Sequence, residues 1–256
     1  MCRRCCGVAL DLGSARTRAW IAGTGVVVDV PTEAVPGTGA GRPVQRGALV
    51  DVAGCAGMLE QVLGPRLPRL LRPMVILTTP ALGGVTYRAR ARTAVGVLRP
   101  VSVLTVPGAR GIAGAARADL SRPLLVVDLG AHLTEVVLLC DGAVTDARRA
   151  ALGTADLDDA ATPEQIAGTV AEMLAQMLRQ DRTPVTAGAL HRGVLLAGGG
   201  ALRPEITRPL TGRLHAPPRV VPAPQTAAVR GAAELLQAAH THPSGSGALP
   251  PVAHPH

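Results

Sequence analysis

Apolar residues fall along this chain in short, β-branched runs separated by Gly- and Pro-rich turns. Val8-Ala9-Leu10-Asp11-Leu12 reads as a buried strand, and Ala19-Trp20-Ile21 and Val26-Val27-Val28 continue it as a β-meander. Residues 31 to 47 carry many Pro and Gly and read as a loop. Further strands are predicted at 74 to 79, closed by Pro80, and at 101 to 105. A second group covers 124 to 129, 135 to 140, 143 to 149 and 193 to 197, with Asp141-Gly142 as a hairpin signal.

Helical spacing alternates with these strands. A basic segment over 84 to 98 and a small-residue segment over 109 to 118 have helical character. Residues 162 to 180 give the clearest helix. Thr162 stands as N-cap, Pro163 at N1 and Gln165 at N3, and Ile166, Val170, Met173, Leu174, Met177 and Leu178 share one face. Residues 224 to 239 form a last helix, and 240 to 256, rich in Pro, Gly, Ser and His, read as a disordered tail. A polar break at 119 to 123 divides the chain into a first lobe over 7 to 120 and a second over 121 to 222. The 224 to 239 helix is expected to pack back on the first lobe.

The two lobes share a repeat. Val8 to Thr17 (V-A-L-D-L-G-S-A-R-T) matches Leu125 to Thr134 (L-V-V-D-L-G-A-H-L-T), and both read strand, Asp-Leu-Gly, three residues, Thr, strand. A tight glycine turn points backbone N–H groups into one space, where a phosphate can sit, and a hydroxyl at Ser14 or Thr17 adds a donor. A carboxylate at each strand end, Asp11 and Asp128, can hold Mg²⁺ through water. A third element, Val194 to Leu202, is a strand, the triplet Gly198-Gly199-Gly200, then Ala201 at a helix start. Its glycines admit close backbone approach to a ligand. The pattern predicts an α/β fold of two similar lobes clamping a nucleotide.

Composition changes this picture little. There is no Phe, and all 26 basic residues are Arg, as codon bias in a GC-rich genome produces. The net charge of +8 favours anionic partners such as membrane headgroups. With one Trp and one Tyr, the aromatic interleaving of a nucleic-acid binder is missing. Tyr87-Arg88-Ala89-Arg90-Ala91-Arg92 is a candidate membrane patch, against the plainer reading of an exposed helix face. Cys2, Cys5 and Cys6 read as reduced terminal thiols, since no second Cys/His pair follows at zinc spacing. No apolar run spans a bilayer and no signal-peptide pattern stands at the start, which predicts a cytoplasmic location, with peripheral membrane contact open.

On these motifs the chain resembles the MreB/Mbl family of bacterial actins, over most of residues 7 to 239. Asp11-Leu12-Gly13-Ser14-Ala15-Arg16-Thr17 is similar to the family's first phosphate loop. Asp128-Leu129-Gly130 with Thr134-Glu135 is similar to the second, and Gly198-Gly199-Gly200-Ala201-Leu202 to its adenosine-side G-G-G-A-L. Arg42 to Asp51 resembles the segment R-P-x-x-x-G-x-x-x-D, which favours this branch over Hsp70 and the sugar kinases. The resemblance implies the actin/Hsp70/sugar-kinase (ribonuclease H-like) fold and a site for ATP and Mg²⁺. The nucleotide-binding residues it implies are Asp11, Gly13, Ser14, Ala15, Arg16, Thr17, Asp128, Gly130, Gly198, Gly199, Gly200 and Ala201, with Asp11 and Asp128 toward the metal.

Departures from the family pattern define the expectation further. Short connections replace an outer subdomain in both lobes: Pro31 to Arg42 in the first, and Asp158 to Thr162 in the second. In the second phosphate loop Ala131, His132 and Leu133 stand where the family has Gly, Gly and Thr. Where a Glu orients the attacking water, the chain reads Thr105-Val106 before Pro107. The expected protein is a shortened actin-like scaffold of cell-shape or spore-wall organisation, with weak or absent hydrolysis. Its expected partners are itself, a full-length MreB-type actin, or morphogenesis proteins. An active ATPase forming nucleotide-dependent filaments is the alternative, and a kinase of the sugar-kinase branch ranks last.

Overall fold

The computed structural model describes residues 6–35, 41–157, 159–214, 216 and 218–241. Cys2, Cys5, Asp158 and the tail from 242 lie outside them. The first lobe runs β1 (Gly7–Leu12), β2 (Arg16–Ile21), β3 (Val27–Pro31), the short pair β4 (Val44–Gln45) and β5 (Ala48–Leu49), α1 (Val52–Leu63), β6 (Met74–Thr79), α2 (Gly84–Val95), β7 (Ser102–Pro107) and α3 (Gly108–Ala115). The second runs β8 (Leu124–Leu129), β9 (Thr134–Cys140), β10 (Ala143–Ala150), α4 (Pro163–Gln180), α5 (Val185–His191), β11 (Val194–Ala197), α6 (Pro204–Leu214) and β12 (Pro218–Val220), and α7 (Ala227–Thr241) closes the fold.

The two main sheets repeat one topology, β3-β2-β1-β6-β7 and β10-β9-β8-β11-β12. In each, an antiparallel meander hands its first strand to two parallel neighbours. Each central strand is covered on both faces, so it reads as an unbroken apolar run rather than an alternating one. In β1, Val8, Leu10 and Leu12 face Met58, Leu59 and Ala91 of α1 and α2. Ala9 turns to Val229, Ala232 and Leu236 of α7. In β8, Leu125, Val127 and Leu129 face α4 and α6, while Val126 turns to Ala109, Ile112 and Ala113 of α3. Thus α3, which precedes the polar break, packs on the second sheet, and α7, which follows the second sheet, packs on the first.

These two helices touch through backbone. A Cβ built on Gly231 would stand 1.8 Å from the Gly111 carbonyl oxygen, and one on Gly111 would stand 2.6 Å from that of Ala228. The predicted capping box of α4 forms, with the Gln165 amide donating to Thr162 Oγ1 (3.3 Å) and the Thr162 amide to Gln165 Oε1 (2.7 Å). The segment read as a loop over 31 to 47 ends β3 and contains β4, because two-residue strands are too short to show a period of two. No helix is long and apolar enough to cross a membrane among the described residues.

Candidate functional site

The repeated Asp-Leu-Gly segments form the same turn in both lobes. The Gly13 amide donates to the Arg16 carbonyl (3.1 Å), and the Gly130 amide to that of Leu133 (2.9 Å). A Cβ would stand 2.7 Å from the Arg16 oxygen at Gly13 and 2.6 Å from the Leu133 oxygen at Gly130. The same backbone approach therefore excludes any side chain at both places, which explains why glycine recurs there.

Both turns open into one cleft of about 280 Å³ between the sheets. Of the residues predicted for the site, Asp11, Gly13, Ser14, Ala15, Arg16, Asp128, Gly130, Gly198 and Gly199 line it. Gly198 has φ +80°, and a Cβ there would meet the Leu129 oxygen at 2.3 Å and Asp128 Oδ1 at 2.5 Å. At Gly199 a Cβ would meet nothing within 4 Å, so its backbone faces open cleft. Thr17, Gly200 and Ala201 stand behind the wall instead. Thr17 Oγ1 shares a buried hydrogen bond with Thr32 Oγ1 (2.8 Å), Gly200 packs on Leu129, and Ala201 belongs to the second core. The Arg16 guanidinium turns to β3, donating to Asp29 Oδ1 (2.7 Å) and to the Asp29 carbonyl (2.9 Å).

Asp11 and Asp128 face the cleft from equivalent strand ends. Asp11 Oδ1 accepts from Thr78 Oγ1 at 2.6 Å. Burial raises the pKa of both, that of Asp128 to about 7, with Asp11 adding to the Asp128 shift. Glu135 pairs across the strands with Asp128. It is also raised to about 7, by burial and then by the Asp128 charge. Glu135 Oε1 accepts from the Ala81 amide (3.0 Å), so it ties β9 to the end of β6. Three carboxylates, Glu135 buried and Asp11 and Asp128 half-buried, thus surround one cleft with little positive charge. The Arg18 charge opposes the rise at both aspartates, but Arg18 is itself paired with Asp29 at 3.1 Å.

This deficit fits a hydrated divalent cation. Among the described residues no three His, Cys, Asp or Glu side chains converge as direct ligands. Asp11 and Asp128 suit Mg²⁺, which keeps several waters and takes phosphate oxygens. The glycine turns and the open backbone at Gly199 suit the phosphates. Gln225 was not among the predicted residues. It lines the cleft with a buried Oε1 that has no hydrogen-bond partner, and only the fold brings it beside Gly198, whose amide donates to the Pro224 carbonyl at 3.0 Å.

The other unpredicted feature is a clasp across the glycine-turn end of the cleft. The β4–β5 turn carries Arg46 at φ 45° and Gly47 at φ +77°, as a two-residue hairpin requires. Arg46 Nη2 donates to Asp156 Oδ1 of the second lobe (2.7 Å), and Arg46 Nη1 to the Ala151 carbonyl. Burial would raise the Asp156 pKa, but the Arg46 bond and the Gly153 amide outweigh it and lower it. Gly47 meets Leu133, whose Cδ2 would lie 2.7 Å from a Cβ there. His132 bridges the two glycine turns, with Nδ1 3.1 Å from Ser14 Oγ and Nε2 3.3 Å from Arg42 Nη1. Arg46→Ala leaves the Asp156 carboxylate, 7% exposed, without its cation, and is expected to cost about 1–3 kcal/mol in urea unfolding. An unchanged midpoint would show that Asp156 does not need the clasp.

Duplicated sheets around a glycine-walled, carboxylate-bearing cleft define the actin/Hsp70 fold. No protein-family model matches the chain, and no curated protein matches its sequence. Among solved structures, MreB5 of Spiroplasma citri bound to ADP is similar with a TM-score of 0.75 at 15% identity, over 93% of this chain and 99% of that one. The same protein bound to AMPPNP gives 0.76 at 15% identity, over 91% and 96%. The MamK double helical filament gives 0.69 at 15% identity, over 91% and 98%. At these identities the likeness shows the fold, which is that of actin-like proteins.

Proposed function

We propose that the chain is a shortened bacterial actin of the MreB/Mbl kind. In this reading it binds an adenine nucleotide with Mg²⁺, assembles with itself or a full-length relative, and hydrolyses ATP slowly or not at all. The observation that carries this reading is the pair Asp11 and Asp128, half-buried at equivalent strand ends and facing one cleft beside Gly13, Gly130 and Gly199. When bound, the metal would neutralise these carboxylates and the phosphates together. Weak turnover is supported by the end of β7, where Thr105 and Val106 carry no carboxylate, Val106 being buried. Glu135, the acid that does reach the cleft, is held by the Ala81 amide. The short connections at 32 to 43 and 151 to 162 support the shortened form.

Calorimetry with ADP and AMPPNP in Mg²⁺, followed by phosphate release on the same sample, tests this. The expected result is binding with turnover at least a hundredfold below that of a full-length relative, the scale of losing a water-positioning group. Turnover equal to that relative would establish the active ATPase. Sedimentation at rising protein concentration tests assembly, and a monomer in every nucleotide state would argue for an adaptor.

Membrane contact has a different surface from the one the sequence suggested. Tyr87 and Ala91 are buried, so Tyr87 to Arg92 is not a continuous patch; only Arg88, Ala89, Arg90 and Arg92 face out. The loop between α1 and β6 offers a better one. Leu70 is 97% exposed, Leu71 stands beside it, and Arg66, Arg69 and Arg72 flank them. Exposed leucines between arginines suit an anionic bilayer, at about 1 kcal/mol per basic residue near the surface. A Leu70→Ser/Leu71→Ser variant is expected to lose most co-sedimentation with vesicles of one-third anionic lipid while keeping its unfolding midpoint. Full retention would remove this loop from the reading.

A further inference from the structure

We propose that His132 and Leu133 latch the phosphate end of the cleft shut, so that the site takes a nucleoside diphosphate in preference to a triphosphate. This deepens the nucleotide-binding reading above and rests on it.

The argument starts from hydrogen-bond geometry. Two donors that share one phosphate oxygen, each at about 2.8 Å, stand roughly 4.5 Å or more apart. Ser14 Oγ and His132 Nδ1, one from each phosphate turn, are 3.1 Å apart. No phosphate oxygen fits between them while that contact lasts. The contact has a defined chemistry. Arginine has only donors, so Arg42 donates to Nε2 of the imidazole. Nδ1 therefore carries the ring proton and donates to Ser14, and the imidazole is neutral. Burial, with the charges of Arg42 and Arg46, lowers the His132 pKa and favours this form despite the pull of Asp156.

Leu133 completes the closure. Its side chain lies against Gly47 of the β4–β5 hairpin, where even a Cβ would come within 2.7 Å. Arg46, next in the same turn, is anchored to Asp156 and to the Ala151 carbonyl. The first lobe thus grips the second on both sides of the turn that would hold the last phosphate. The open cleft runs along Asp11, Asp128, Gly198 and Gly199 up to Ser14, Gly47 and Leu133, and the His132 contact stands at that edge. A ligand ending one phosphate short meets no latch, whereas a longer one must separate Ser14 from His132 and lift Leu133 off Gly47.

Titration calorimetry with Mg²⁺ and either ADP or AMPPNP tests this on the full chain and on His132→Gly and Leu133→Thr variants. The expected result is at least tenfold tighter binding of ADP than of AMPPNP by the parent. Either substitution should narrow that ratio at least fivefold, chiefly by tightening AMPPNP. Equal affinities in the parent, or an unchanged ratio in both variants, overturns the latch. Failure of every protein to bind ADP overturns the nucleotide reading itself, and the preference with it. Hydrogen exchange without ligand separates the two failures. His132→Gly should speed exchange at 13 to 16 and 130 to 134, and unchanged exchange there overturns the latch whether or not nucleotide binds.

Discussion

Gly231→Ala is expected to destabilise the protein by about 3 kcal/mol, the upper range for overpacking a tight contact, lowering its melting point by about 10 °C. The sign is the informative part. Alanine is a better helix former than glycine by about 1 kcal/mol, so helix propensity alone predicts stabilisation. Tertiary contact predicts the reverse. The new methyl would stand 1.8 Å from the Gly111 carbonyl oxygen and 2.5 Å from its carbon, both of them backbone atoms that no rotamer change can move. Either α3 and α7 separate or the helix backbone distorts. Because α3 packs on the second sheet and α7 on the first, separation also shifts one lobe against the other. Gly168→Ala in α4 serves as the control, since its Cβ would meet only the flexible end of Arg213, at 3.9 Å. That variant should be neutral or slightly stabilised in the same thermal scans. Equal midpoints for both variants would contradict the close helix crossing.

Asp128→Asn is expected to move stability and ligand binding in opposite directions. The Asp128 carboxyl titrates near 7 in the folded chain, raised first by burial and then by Asp11, and near 4 when unfolded. Between those values the folded state binds more protons than the unfolded one. Stability of the ligand-free protein therefore falls as pH rises from about 4 to about 7, and Glu135 contributes in the same direction. Asparagine removes the ionisation. At pH 8 the ligand-free variant should be more stable than the parent by roughly 2 kcal/mol, with a shallower dependence on pH. On the proposed reading, binding of Mg²⁺–ADP should weaken at least tenfold, because the variant has lost one of the two carboxylates proposed to face the metal. Urea unfolding across pH, with calorimetry at pH 8, reads both effects. A variant less stable than the parent at pH 8 would mean that the Asp128 carboxylate is compensated in the free protein after all.

Some elements were legible from the sequence for local reasons. The central strands β1 and β8 are dense β-branched and leucine runs ended by Asp-Leu-Gly, and α4 carries a complete capping box and one apolar face. Other elements lacked such a signal. Helix α1 carries an apolar stripe of Cys55, Met58, Leu59 and Leu63, but two glycines interrupt its first half, where Asp51 Oδ1 caps it by accepting from the Gly54 amide at 2.8 Å. The β4–β5 pair is two residues on each side and is held by contacts with the other lobe. In Tyr87 to Arg92 three arginines alternate with alanine, a local pattern that reads as one basic face. Helical rotation places Tyr87 inward, where it lines the cleft.

Within the site the same division holds. Local sequence accounts for the duplicated turn, since glycine is required wherever the backbone approaches its own carbonyl. It also determined the two strand-end aspartates, and the absence of a carboxylate at the end of β7. The packing of the two sheets sets how these parts meet. Within the first lobe Arg16 turns away to Asp29 and Thr17 is buried against Thr32. The packing brings Gln225 to the cleft from the far end of the chain, and it sets Ser14 against His132 across 118 residues. Local sequence encodes a turn because a turn is closed by its own atoms. Which groups face each other across a cleft depends on how two separately formed sheets are docked, and that docking is set by α3, α7 and the Arg46 hairpin.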